Sequence, residues 1–187
     1  AATLLATNWN RKTAVVNPMC GSGTVAIEAA LLATNRKPGL LRHNYSFMHV
    51  VGYDEQMYLD EFKKLEHEVI DVPGLKIIAT DISEDAVNVS KINAGIAGVE
   101  ELIEFAVCDF EKTELPGENK GIVFFNPEYG DRLGVEIELE ATYKRMGDFL
   151  KKNCKGYTGY IFTGNLELAK NIGLKPKRRI EFFTSKI

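Results

Sequence analysis

The chain has 187 residues, of which 45% are hydrophobic and 26% are charged, a composition that is typical of one globular domain with a full core. Its net charge of −3 argues against a protein that binds nucleic acid through overall charge. The three cysteines are widely spaced, which argues against a disulfide framework or a zinc site and favours a reducing, cytoplasmic location. No apolar stretch is long enough to cross a membrane.

Helix-like and strand-like patterns alternate along the chain. Predicted helices cover residues 1–9, 22–35, 55–70, 83–97, 139–152 and 166–171. Predicted strands cover residues 13–16, 76–81, 103–108, 121–125, 157–162 and 179–184. Two strands, 13–16 and 121–125, are continuous apolar runs, as strands buried on both faces are. The pattern predicts a single α/β domain over residues 1–187, with a mostly parallel sheet covered by helices on both faces.

The sequence Asn-Pro-Met-Cys-Gly-Ser-Gly-Thr, residues 17–24, joins the first apolar strand to a helix. Its glycines let the backbone approach a ligand closely, and the helix start, where Ser22 or Thr24 can act as a cap, presents free N–H groups. A dinucleotide loop needs a third glycine, and a triphosphate loop needs a lysine after Gly23; this chain has neither. We therefore expect a nucleoside without phosphates, such as S-adenosylmethionine.

Acidic residues follow two of the other predicted strands. In a parallel sheet, ligands bind beyond the carboxyl ends of the strands, so Asp81 and Asp109 are candidates to accept ribose hydroxyls or an adenine amine. Asp54, which follows Val-Val-Gly-Tyr at 50–53, competes with Asp81 for the ribose. We favour Asp81 because Ala-Thr-Asp-Ile-Ser at 79–83 passes directly from a strand into a capped helix.

The apolar strand 121–125 ends in Asn-Pro-Glu-Tyr-Gly, residues 126–130. The side-chain carbonyl of Asn126 and the backbone carbonyl of Pro127 can accept the two hydrogens of a planar exocyclic amine, which exposes the nitrogen lone pair to a methyl sulfonium. Tyr129 can stack on the base, which must then be unpaired or flipped out of a helix. A plain strand-to-turn junction, closed by Gly130, is the alternative interpretation.

These motifs carry a family resemblance. Residues 17–24, residues 79–83 and the sequence Asn-Pro-Glu-Tyr-Gly-Asp-Arg at 126–132 resemble the Rossmann-fold domain of the THUMP-associated RNA methyltransferases, in particular the bacterial 23S rRNA guanine-N(2) methyltransferases. The resemblance covers nearly the whole chain. It implies a Rossmann-like class I fold, S-adenosylmethionine as cofactor, and methyl transfer to the N2 amine of a guanine in RNA, with large-subunit rRNA as the expected partner. It also implies that an RNA-binding THUMP domain precedes Ala1 in a longer protein, and that a last strand of the fold follows Ile187.

The resemblance also assigns the site residues. Those expected to line the cofactor site are Asn17, Pro18, Cys20, Gly21, Gly23 and Thr24. Asp81 is expected at the ribose and Asp109 at the adenine, with Ile82 and Phe110 beside them in the cofactor site. Asn126, Pro127 and Tyr129 are expected to hold the target amine.

The chain departs from the family pattern at two positions. The glycine loop of the family usually begins with Asp, where this chain has Asn17, and its catalytic tetrapeptide usually has a second Pro, where this chain has Glu128. A neutral residue 17 is expected to weaken the attraction for the cationic sulfonium, which predicts that Asn17→Asp tightens cofactor binding. Because Asn126 and Pro127 are both present, we expect activity, with altered loop rigidity and substrate fit at Glu128.

Other chemistry has weaker support. Methylation at cytosine C5 usually places the nucleophilic Cys directly after Pro, and no Pro-Cys pair occurs. His43, His49 and His67 lack metal-ligand spacing, so we expect no metal. Arg42, His43 and Tyr45 are candidates for contact with RNA, although a plain surface loop is the simpler interpretation. The rival functions are guanine-N2 methylation of tRNA, adenine-N6 or glutamine-amide methylation, NAD-type oxidoreduction, and cofactor binding without catalysis.

Overall fold

The computed structural model describes residues 1–118, 120–128 and 136–182, with the backbone alone at 136–138. Its strands are β1 (Val15–Pro18), β2 (Ile77–Asp81), β3 (Ile103–Val107), β4 (Ile122–Phe125) and β5 (Thr158–Ile161). Its α-helices are α1 (Ala2–Leu5), α2 (Thr24–Ala33), α3 (Glu55–His67), α4 (Glu84–Ile96), α5 (Glu136–Lys152) and α6 (Leu166–Lys170). Short 3₁₀ turns cover Pro38–Leu41, Ser46–His49, Glu100–Leu102 and Phe110–Lys112.

The described strands form one sheet in the order β3-β2-β1-β4-β5, and every neighbouring pair is parallel. The central strands β1 and β4 are buried along their whole length, as their apolar sequences predict. The chain runs outward from β1 through β2 to β3 and then returns across β1 to β4. The crevice between β1 and β4 is therefore the topological switch point, where ligands bind in sheets of this kind.

Side chains that alternate along the central strands fill two cores, one on each face of the sheet. On one face, Val15 and Phe124 pack with alanines of α2 and α4. On the other face, Val16 and Phe125 pack with large residues of α5, including Phe149. The prediction of an α/β sheet with helices on both faces is confirmed.

Several predicted boundaries differ from the structure. Residues 179–182 form no strand, so the predicted strand at 179–184 is wrong in its described part. The first helix ends at Leu5, α3 stops three residues before Ile70, and α5 begins three residues before Leu139. Residues 50–53 form no strand: residues 50–52 are a bend and a turn, and both Val50 and Val51 are exposed. Among the described helices, none has the length and apolarity that crossing a bilayer requires.

Candidate active site

The loop at residues 17–24 leaves the carboxyl end of β1 and enters α2 through two glycines in left-handed backbone conformations. Gly23 is the N-cap of α2, with φ of +83°. A Cβ at this position would lie 2.0 Å from the Ser90 Oγ of α4, so glycine lets α2 and α4 approach each other. Neither Ser22 nor Thr24 caps the helix, which corrects that prediction; their hydroxyls lie 3.3 Å apart.

Gly21 has a different reason to be glycine. Its φ is +55°, and a Cβ built on it would meet no heavy atom of the described residues within 4 Å. The backbone at Gly21 therefore borders open space at the carboxyl edge of the sheet, where a ligand can approach it closely. Met19, two residues earlier, also has a positive φ, of 62°, although it is not glycine.

Asp81 connects the glycine loop to the end of β2. Its Oδ2 accepts a hydrogen bond from the Gly21 N–H at 2.9 Å, and its Oδ1 accepts one from the Ser83 N–H at 3.0 Å. The side chain is only partly buried, and each carboxylate oxygen has a second lone pair for a ligand hydroxyl. Beside it, the Ile82 side chain is 73% exposed.

Asp54, the competing acid, is the N-cap of α3 and accepts a hydrogen bond from the Met57 N–H at 2.9 Å. Because residues 50–53 form no strand, Asp54 does not follow a strand of the sheet. The structure thus gives Asp54 a local capping role, while Asp81 is the acid that touches the glycine loop.

Asp109 lies two residues beyond β3 and is held by a cation that sequence reasoning missed. Arg145 of α5 donates to Asp109 Oδ2 at 2.6 Å and to Glu111 Oε2 at 2.6 Å. Burial alone would raise the pKa of the Asp109 carboxyl, but hydrogen bonds from Arg145 and from the Glu111 N–H hold it below its usual value. Phe110 is buried beneath Arg145, whose Cζ lies 4.9 Å from the ring centroid. The Phe110 ring thus belongs to the core.

Asn17 spans the switch point. Its side chain is 1% exposed, and its Nδ2 donates to the Phe124 carbonyl oxygen of β4 at 2.9 Å. Its Oδ1 is buried and has no hydrogen-bond partner among the described residues. A buried carbonyl oxygen of this kind usually has a donor, so this atom is a candidate acceptor for a bound ligand. The contact with Phe124 also opposes the expected benefit of Asn17→Asp, because a carboxylate would face a carbonyl oxygen.

Cys20 is buried in the same loop, and its N–H donates to the Thr80 carbonyl oxygen of β2 at 2.9 Å. Burial, and then the negative charge of Asp81, raise the pKa of the Cys20 thiol to about 11. The thiol is therefore neutral near pH 7, which opposes a nucleophilic role and favours packing in a tight loop. No group of three or more metal-ligating side chains comes together in the part of the chain that the structure describes.

The segment expected to hold the target amine follows β4, next to β1. Asn126 is exposed there and Pro127 is buried, while Tyr129 and Gly130 lie outside the described residues. Tyr143 of α5, which is fully buried, donates from its hydroxyl to the Glu128 carbonyl oxygen at 3.2 Å. The same hydroxyl lies 2.8 Å from Thr163 Oγ1, beyond β5. Tyr143 thus joins the segments that follow β4 and β5, a role that its sequence spacing did not reveal.

The loops beyond β1, β2 and β4 therefore lie at the same edge of the parallel sheet. All of residues 1–187 match the family model described as RMKL-like, methyltransferase domain. The chain belongs to this family. The fold is accordingly the Rossmann-like class I methyltransferase fold, and membership in the family speaks against the NAD-type oxidoreductase.

Three similar proteins illustrate the match. Ribosomal RNA large subunit methyltransferase K/L of Syntrophotalea carbinolica is 34% identical over 194 residues, which cover 98% of this chain and 27% of that protein. SMU.472, whose crystal structure is complexed with SAH, has 25% sequence identity to this chain. The two structures superpose with a TM-score of 0.86 over 95% of this chain and 46% of that one. A protein of Listeria monocytogenes, described as a predicted N6-adenine-specific DNA methylase, is 31% identical, with a TM-score of 0.82 over 95% of this chain and 46% of that one. The chain thus spans about a quarter of the curated relative.

Proposed function

We propose that this domain uses S-adenosylmethionine to methylate the exocyclic N2 amine of a guanine in RNA, with large-subunit rRNA as the substrate. One observation carries the proposal. At the switch point between β1 and β4, the glycine loop that follows β1 is hydrogen-bonded to Asp81, and an Asn-Pro pair follows the neighbouring strand β4. The first group suits a nucleoside, and the second suits a planar amine. The names of the curated relatives support rRNA as the class of substrate.

The described residues fit the cofactor. Open space at Gly21 and the unpartnered Oδ1 of Asn17 provide room and an acceptor at the end of β1. Asp81 is only partly buried, and its proposed role is to accept ribose hydroxyls; the exposed side chain of Ile82 is proposed to contact the base. Asp109, which follows β3, is proposed to bind the adenine amine together with the backbone of Phe110. The remaining residues proposed to line this site are Pro18, Cys20, Gly23 and Thr24.

When bound, S-adenosylmethionine supplies an electrophilic methyl group. The proposed task of this chain is to hold the amine that receives it. The Asn126 side-chain carbonyl and the Pro127 backbone carbonyl accept the two amine hydrogens, and Tyr129 stacks on the base. An amine held in this way has its lone pair free, and its proton becomes acidic only after transfer, so no strong base is required. Positioning of this kind can contribute about 7–11 kcal/mol in favourable cases.

Adenine-N6 methylation is the second candidate, because the similar Listeria protein is described as an adenine-specific DNA methylase. The same Asn-Pro-x-Tyr chemistry also serves glutamine amides. Transfer of a labelled methyl group to unmodified large-subunit rRNA, to tRNA, to adenine-bearing DNA and to a release factor separates these candidates. We expect label in the rRNA alone, and loss of that label in Asn126→Ala without loss of S-adenosylhomocysteine binding.

A cofactor-binding domain without catalysis is tested by the same assay. It would bind S-adenosylhomocysteine, label none of the substrates, and gain transfer when Glu128→Pro restores the usual tetrapeptide of the family. That combination would contradict the enzymatic proposal for the natural sequence. Calorimetry of S-adenosylhomocysteine binding is the necessary control, because it shows that the cofactor site is intact in each variant.

A further inference from the structure

A run of positive charge follows α6 and has no part in the chemistry proposed above. We call residues 175–179, Lys-Pro-Lys-Arg-Arg, the basic segment. Four of its five residues are cations, in a chain whose net charge is −3. All four are exposed, and none forms an ion pair with the residues that the structure describes. Their charge is therefore available to a partner.

Cations also outnumber acids in the sequence around the basic segment. Residues 146–182 contain eight lysines and arginines but three acidic residues, Asp148, Glu167 and Glu181. Glu167 is paired with Lys170 at 2.6 Å. Of the three acids, Glu181 is the one without an ion pair to any described residue. A local excess of positive charge in an acidic chain is typical of a surface that binds a polyanion.

The end of α5 adds cations beside the start of the basic segment. The Lys151 ammonium lies 3.3 Å from the position that a Cβ on Gly173 would occupy, two residues before Lys175. Lys151 and Lys152 share one acid, with their Nζ atoms 3.7 Å and 3.9 Å from the carboxylate of Asp148. Two positive charges thus face a single negative charge here, so α5 also contributes net positive charge.

The chain is attached to the domain on both sides of the basic segment. On one side Ile172 is buried, and a Cβ at Gly147 of α5 would lie 1.9 Å from the Ile172 carbonyl oxygen, so the two backbones pack directly together. On the other side the Phe182 ring packs edge-on against Phe162, with centroids 5.8 Å apart. A segment that is held at both ends loses less conformational entropy when a partner binds.

The attachment at Phe182 lies beside the segment that is proposed to hold the target amine. Phe162 follows β5, and its N–H donates to the Phe125 carbonyl oxygen of β4 at 2.9 Å. Phe125 directly precedes Asn126. Arg179 is three residues from Phe182, a distance of at most about 11 Å along the chain. The basic segment therefore leads to the edge of the sheet where the acceptor is proposed to bind.

We propose that the basic segment is a docking surface for the phosphate backbone of the RNA that carries the methylated guanine. Lysine and arginine bind phosphate whatever the base sequence, and such contacts fix the position of the nucleic acid. The choice of RNA rests on the proposed function, while the excess of cations and its position come from the charges and contacts above. An anionic membrane surface is the other candidate partner, but residues 173–182 form no amphipathic helix that could lie in a bilayer.

The test is a salt titration of RNA binding that does not depend on methyl transfer. The anisotropy of a short, unstructured, fluorescein-labelled RNA is followed from low to moderate ionic strength with the wild-type chain and with the double variant Arg178→Gln, Arg179→Gln. Each phosphate contact to a single strand contributes about 0.7 to the slope of log K against log salt concentration. We expect the double variant to lower that slope by about 1.4 and to weaken binding at low salt at least about fivefold.

The matched control is the double variant Arg11→Gln, Lys12→Gln. It removes the same charge from two exposed residues that precede β1, at the edge of the sheet opposite the candidate site. We expect its RNA affinity and salt slope to equal those of the wild-type chain. Circular dichroism verifies folding, and the affinity for S-adenosylhomocysteine should be the same in all three proteins.

Wild-type affinity and salt slope in the folded Arg178→Gln, Arg179→Gln variant would overturn the proposal, and so would a wild-type chain that binds no RNA at low salt. Equal losses in the two double variants would also overturn it, because binding would then follow net charge alone. Weaker binding of this variant to phosphatidylserine vesicles, with RNA binding unchanged, would assign the basic segment to a membrane instead. RNA binding that depends on the segment, without transfer to guanine, would contradict the proposed function and leave the docking surface standing. Transfer to guanine with an unchanged KM for rRNA in this variant would do the reverse.

Discussion

The hydroxyl of Tyr143 provides a sharp test of how the acceptor segment is held. Tyr143→Phe removes one oxygen from a fully buried side chain, and with it the contacts to the Glu128 carbonyl and to Thr163 Oγ1. A net hydrogen bond contributes about 0.5–1.5 kcal/mol to stability. Because water can reach the exposed Glu128 and replace one of these bonds, we expect the free energy of unfolding to fall by about 1–2 kcal/mol, less than the maximum for two fully buried hydrogen bonds.

The same contact positions the backbone that follows Asn126 and Pro127. If about 1 kcal/mol of that interaction acts in the transition state, kcat falls about fivefold in Tyr143→Phe. The glycine loop has no described hydrogen bond to Tyr143, so the affinity for S-adenosylhomocysteine should not change. Urea denaturation, calorimetry and methyl-transfer kinetics measure the three quantities separately.

Tyr157→Phe is the matched control. The Tyr157 hydroxyl donates to the Pro116 carbonyl oxygen at 2.6 Å, and the residue directly precedes β5, at the opposite edge of the sheet from the site. We expect a similar loss of stability with kcat unchanged. An unchanged kcat in Tyr143→Phe, or an equal fall in both variants, would refute the reasoning that Tyr143 positions the acceptor segment.

Three further substitutions test the cofactor side of the site. Asp81→Asn should weaken S-adenosylhomocysteine binding at least about tenfold in calorimetry, since one charge-assisted contact to a backbone N–H is lost. Asp54→Asn should leave this affinity unchanged. The reverse pattern would show that Asp54, rather than Asp81, binds the ribose. Gly23→Ala should lower the free energy of unfolding by about 2–4 kcal/mol, because residue 23 has a left-handed backbone and its new Cβ would clash with Ser90. Gly21→Ala should lower it by only about 1 kcal/mol and should chiefly reduce cofactor affinity. Equal losses of stability in the two variants would contradict the different roles given to the two glycines. Asn17→Asp should destabilise the fold by about 1–3 kcal/mol in urea denaturation, because the variant lacks the N–H donor to the Phe124 carbonyl oxygen. Unchanged stability together with tighter binding of S-adenosylmethionine would instead support the expectation from the sequence that an acid at position 17 favours the cofactor.

The parts of the fold that depend on local sequence were predictable. The predicted strand at 76–81 is observed as Ile77–Asp81, and the helix at 83–97 as Glu84–Ile96 with Ser83 as its cap, because apolar runs and capping residues act over a few positions. The position of Asp81 at the end of a parallel strand followed from the same pattern. Residues 50–53 show the opposite case, since a β-branched pair such as Val50 and Val51 forms a strand only where neighbouring strands accept it.

Contacts between distant segments were not predictable from this one sequence. Arg145 lies 36 residues from Asp109, and Ser90 lies 67 positions beyond Gly23, so no local spacing links either pair. The strand order, which places β4 beside β1, likewise results from packing on both faces of the sheet. The resemblance implied that Phe110 lies in the cofactor site, but it could not show that the Phe110 ring packs edge-on against Phe125 and Phe149.

The central claim is that the Asn-Pro pair beyond β4 presents a guanine amine to the cofactor site beyond β1. Its most direct test is mass spectrometry of nucleosides from unmodified large-subunit rRNA, after reaction with S-adenosylmethionine that carries a deuterated methyl group. The proposal predicts labelled N2-methylguanosine, and its absence with Asn126→Ala. Labelled N6-methyladenosine in place of N2-methylguanosine, or an undiminished yield from Asn126→Ala, would contradict it.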